Sequence, residues 1–66
     1  MKTMRELVEQ FNRKFKDDYY VATLDEINSR RGWYVVMITG PMGMTNPYYF
    51  TSCGEFREWM NGVVLD

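Results

Sequence analysis

Hydrophobic residues first recur at Met4, Leu7, Val8, Phe11 and Phe15, a spacing that draws one stripe down a helix over residues 3–16. Thr3-Met4-Arg5-Glu6 marks its start as a capping box: the Thr3 hydroxyl accepts from the Glu6 amide, and the Glu6 carboxylate reaches back to the Thr3 amide. Arg13, Lys14 and Lys16 crowd the last turn, where the partial negative charge of a helix terminus favours cations. Asp17-Asp18 breaks the pattern. From Tyr19 to Ile27 the period falls to two, and from Trp33 to Thr39 the same signal returns more strongly. Ser29-Arg30-Arg31-Gly32 supplies turn residues between these runs, so they predict a β-hairpin. Gly40 to Pro47 concentrates glycine, proline and asparagine and reads as a loop. Tyr48 to Thr51 is a short third strand. Ser52-Cys53-Gly54-Glu55 opens a second helix with another capping-box pattern, followed by Phe56, Trp59, Met60 and Val63 at helical spacing and Gly62 as a left-handed stop.

These elements predict a single α+β domain over residues 1–66, in the order α-β-β-β-α: a three-stranded antiparallel meander with both helices on one face. Every strand opens on an aromatic pair (Tyr19-Tyr20, Trp33-Tyr34, Tyr48-Tyr49), and alternation sends one member of each pair to each face. Tyr20, Ala22, Leu24, Tyr34, Val36, Ile38 and Phe50 are expected beneath the helices. Tyr19, Val21, Trp33, Val35, Met37 and Tyr49 are expected on the open side. So many large side chains in one patch exceed what a monomer usually shows to water. Either a protein partner, a second copy, stacked nucleic-acid bases, the 40–47 loop or the 63–65 tail covers it, or its tyrosines and threonines simply form a solvated face. Met42 and Met44 add flexible, polarizable side chains that either form a contact loop of the kind adaptable surfaces use or fill gaps over the sheet edge, and Arg30 and Arg31 add charge at the hairpin tip.

Composition narrows the chemistry. Sixty-six residues hide only about 60% of their unfolded surface on folding, so the core is thin and needs reinforcement. One cysteine and no histidine leave neither an internal disulfide nor a usual zinc site, so aromatic packing or a partner is expected to supply it. A net charge of −1 with a pI of 5.3 argues against a general polyanion binder and equally against an acidic DNA mimic. Charges interrupt the first residues before a signal peptide's apolar run could form, and the longest apolar stretch is about five residues. No membrane association is expected. A lone thiol, Cys53, suits a reducing cytoplasm. That thiol has no histidine to act as its base. The acidic pairs Asp17-Asp18 and Asp25-Glu26 point their members apart, and Gly40-Pro41-Met42-Gly43 lacks the lysine of a phosphate-binding loop. No catalytic residue, metal ligand or cofactor is therefore expected, and the chain reads as a non-enzymatic binding module.

The element order, with Arg30 and Arg31 in the hairpin loop, resembles the double-stranded RNA-binding domain across nearly the whole chain. That resemblance implies duplex recognition through the first helix, the first hairpin loop and the start of the last helix. The last helix opens Cys53-Gly54-Glu55 where that family carries a lysine cluster, and no lysine follows Lys16. In size and architecture the chain is also similar to small accessory proteins of phages and mobile elements, including anti-CRISPR inhibitors. That likeness implies inhibition or adaptation of a larger protein.

Overall fold

A computed structural model of the chain describes residues 2–63. The first helix, α1, spans Met4–Lys14 and begins with both capping-box bonds formed: Glu6 N–H donates to Thr3 Oγ1 (3.2 Å) and Thr3 N–H to Glu6 Oε1 (2.9 Å). Its apolar stripe buries Met4, Leu7, Val8 and Phe11. One 3-10 turn over Lys16–Asp18 follows and closes on Tyr19 in the left-handed region, with φ 61°. The strands are β1 (Val21–Leu24), β2 (Tyr34–Thr39) and β3 (Thr45–Phe50), joined in one antiparallel sheet of order β1-β2-β3. The second helix, α2, spans Cys53–Gly62. The architecture is thus the expected α-β-β-β-α arrangement of two helices and an open meander.

Both helices lie on the sheet face that carries Ala22, Val36, Ile38 and Phe50, and all four join one core with the helix residues. Phe11, Phe56, Leu7, Met60 and Val36 are its fully buried centre. Aromatic contacts tie the helices to each other and to the sheet. Trp59 stacks on Phe11 at 6.0 Å, and Phe50 meets Phe56 edge-on at 4.9 Å. Lys14 Nζ donates to the Met60 carbonyl (2.9 Å), so a side chain of α1 satisfies an otherwise orphaned acceptor near the end of α2.

The phase of each ladder decides which backbone groups are left at the sheet edges. Asp25 N–H donates to Val35 O, and Gly40 N–H to Met44 O, both at 2.9 Å. Counting along the registers in steps of two, Ala22 turns its N–H and C=O away from β2, and residue 47 likewise turns away from it. The outward groups of Ala22 are both taken by the Asn12 side chain of α1, whose Nδ2 donates to Ala22 O (3.0 Å) while its Oδ1 accepts from Ala22 N (2.6 Å). On β3 the outward position is Pro47, which has no N–H to offer. Each edge is therefore interrupted near its middle, a device that discourages pairing with a further strand.

Four local expectations are corrected. The first strand starts at Val21 and ends at Leu24 rather than running from Tyr19 to Ile27. Tyr19 is in the left-handed conformation that closes the 3-10 turn, and Asp25 bonds to Asn28 to turn the chain out of the ladder. The third strand starts at Thr45, three residues before Tyr48, because Pro47 falls at an edge position where its missing donor breaks no ladder bond. The loop before it contracts to residues 40–44, with Gly43 at φ 84°. Gly62 ends α2 without a left-handed step; the capping residue Val63 is extended and half-buried against the core. The rest of the tail, residues 64 and 65, lies outside the described residues.

Candidate functional site

The sheet face opposite the helices carries Val21, Thr39 and Thr45 in one cross-strand row, Thr23, Met37 and Pro47 in the next, and Val35 beside Tyr49 in the third. None of these side chains is charged; Asp25, whose N–H donates to Val35 O, takes the register position opposite Val35 at the end of the third row. Beyond the third row the chain of residues 25–33 makes a small lobe. Asp25 accepts from the Asn28 backbone and side chain (3.1 and 2.8 Å), and Ser29 Oγ accepts from Val35 N (2.8 Å). Arg30 and Trp33 then face each other across a two-residue turn, exchanging backbone hydrogen bonds of 2.8 Å in each direction, with Gly32 supplying the positive φ of 85°.

This lobe delivers Trp33 onto Tyr49. Their rings stack at 5.4 Å with 24° between planes, and they remain 46% and 52% exposed. Because Arg30 is the direct cross-strand partner of Trp33, its side chain leaves the same side of the turn. Arg31 occupies the turn itself and is exposed. Neither arginine is paired with a carboxylate among the described residues, where the one ion pair is Arg5 with Glu26.

The candidate residues thus separate into groups. Trp33, Tyr49, Arg30 and Arg31 gather at one end, with the half-buried Met37 one row inward. Val21 is exposed on the same face but pairs with Thr39, ~20 Å along β2 from Trp33. Val35 lies in the outward register but is only 6% exposed. Tied to Ser29 and flanked by Tyr49, it forms a floor rather than a contact. Tyr19 is exposed outside any strand, since the left-handed turn removes it from the sheet. Met42 and Met44 belong to the helix side: with Tyr20, Ile38, Asn46 and Tyr48 they line a neutral cavity of about 270 Å³ that the helices leave uncovered. Ile27, at 93% exposure, is an apolar side chain that the periodicity concealed by assigning it to the first strand.

Electrostatics around the lobe are local. The Asn28 side-chain and backbone hydrogen bonds hold the Asp25 carboxyl below its ordinary value of 3.8, so it stays ionised. Thr3, through its backbone N–H and then its hydroxyl, does the same for Glu6. Cys53, the first residue of α2, packs partly against the core. No group of His, Cys, Asp and Glu able to hold a metal ion occurs among the described residues, and no helix of the described residues is long and apolar enough to cross a membrane. No protein-family model matches the chain, and no curated protein or solved structure matches it.

Proposed function

We propose that this chain is a non-enzymatic protein-binding module that acts in the cytoplasm and docks through the Trp33–Tyr49 end of its open sheet face. Inhibition or adaptation of a larger protein is the concrete form of that role. The observation that carries it is the stacked, half-exposed Trp33–Tyr49 pair, held on a face that neither helix touches. Large amphipathic rings of this kind are enriched in the cores of protein interfaces, where they bring contact area at a small entropic cost. The interrupted edges of β1 and β3 favour docking onto the face over strand addition.

Duplex RNA binding is the weaker reading. It would need basic side chains at several separated places, whereas Lys14 already bonds to the Met60 carbonyl and the start of α2 carries Cys53-Gly54-Glu55. The test is selection from a displayed random-peptide library, with the full chain and its Trp33→Ala variant as baits. Binders retained by the native chain and lost by the variant support the site; equal retention by both refutes it. Salt-sensitive retention on duplex RNA would instead favour the RNA reading.

A further inference from the structure

Building on the docking face just proposed, we infer that its partner presents an acidic segment: a large apolar side chain covers the Trp33–Tyr49 rings while a neighbouring carboxylate pairs with Arg30. Charge distribution carries this. The strand residues in the three cross-strand rows of the face are only valine, threonine, methionine, proline and tyrosine, and the carboxylate that extends the third row, Asp25 opposite Val35, is held by Asn28. Among the described residues, the charges left unpaired at this end are those of Arg30 and Arg31 beside the rings. Arg30 stands directly across the tight turn from Trp33, and Arg31 follows it at the tip.

The acids nearest in the chain do not answer these arginines. Asp25 is engaged by Asn28, and Glu26 is held by Arg5 on α1. Arg30, across the turn from Trp33, and Arg31 at the tip therefore have their donor sites free for a ligand. A guanidinium matches a carboxylate with two parallel hydrogen bonds, and covering the rings excludes water and strengthens that pairing. A basic partner segment would instead bring like charges together at the edge of a dry contact, which costs affinity. Two arginines at one end and a neutral sheet behind them suit a short acidic motif better than a nucleic-acid strand, which needs positive charge along its whole track.

The experiment uses the full chain, its Arg30→Gln/Arg31→Gln variant and its Arg30→Glu/Arg31→Glu variant as baits for one displayed random-peptide library. The native pool is expected to be enriched in Asp and Glu next to Trp, Phe, Leu or Met. Individual peptides from it should bind the glutamine variant about three- to tenfold more weakly, and the weakening should shrink in high salt. The glutamate variant should select peptides rich in Lys and Arg. Pools with the same acidic content for all three baits would overturn the inference while leaving the docking face standing, provided their binders still require Trp33. Binders indifferent to both Trp33 and the arginines would overturn the face as well. Retention of a 15-nucleotide single-stranded oligonucleotide more tightly than any selected peptide would assign the arginines to phosphate and refute the acidic-partner proposal.

Discussion

Asn12 of α1 binds both free backbone groups of Ala22 on β1, donating to its carbonyl and accepting from its amide. A side-chain amide thereby stands where a fourth strand would pair, and it ties the helix layer to the sheet in one step. Asn12→Ala leaves these groups to solvent and removes the tie. A loss of about 1–2 kcal/mol is expected, read by urea unfolding, together with faster hydrogen exchange of the Ala22 amide. Unchanged exchange at Ala22 would mean that the bond contributes nothing in solution.

Pro47 does the corresponding work on the other edge by omission. Its position in the β2–β3 ladder turns outward, between Thr45 and Tyr49, whose backbone groups turn outward as well. Pro47→Thr restores a donor at the centre of that row and adds a good strand former. The variant is expected to associate as concentration rises, seen as a mass increase in size-exclusion chromatography with light scattering, while the native chain stays at lower mass under the same conditions. Identical masses for the two would show that proline is not what keeps this edge unpaired.

Asp25 links the lobe to pH. Its folded pKa is depressed, chiefly by the Asn28 side chain, so the stabilisation is complete above the ordinary carboxylate range and fades as the pH falls through the depressed value. The lobe that positions Trp33 is therefore expected to loosen only in acid, with no change around neutrality. Carboxyl carbon shifts followed by NMR should give Asp25 a midpoint below its ordinary 3.8 in the native chain and a higher one in Asn28→Ala. A midpoint unmoved by that substitution would remove the Asn28 side chain as the chief cause.

Much of this fold is legible in the residues, and the exceptions share a cause. The stripe from Met4 to Phe15 and the Thr3–Glu6 box depend on neighbours within a turn or two, so spacing alone identifies them. Tyr19 resists such reading because a tyrosine at positive φ defies local preference and is imposed by closure of the 3-10 turn onto the sheet. Asn46 and Pro47 read as loop residues; only the phase of pairing with β2 makes an edge proline harmless. For the site, alternation suffices to place Trp33 and Tyr49 on the open face. It cannot place Met42 and Met44, whose side depends on how the 40–44 turn folds back, nor the burial of Val35 beside Ser29.

Tyr49 and Phe50 offer the most direct measurement, being chain neighbours on opposite faces of β3, one half-exposed beside Trp33 and the other 4% exposed beneath α2. Their alanine variants are compared by chemical unfolding and by binding to peptides selected on the native chain. Phe50→Ala is expected to lose about 3–5 kcal/mol and with it most of the folded population. Tyr49→Ala is expected to lose about 1 kcal/mol, keep its cooperative transition, and bind those peptides at least tenfold more weakly. A Tyr49→Ala variant that unfolds like Phe50→Ala, or one that stays folded with undiminished binding, would contradict the account.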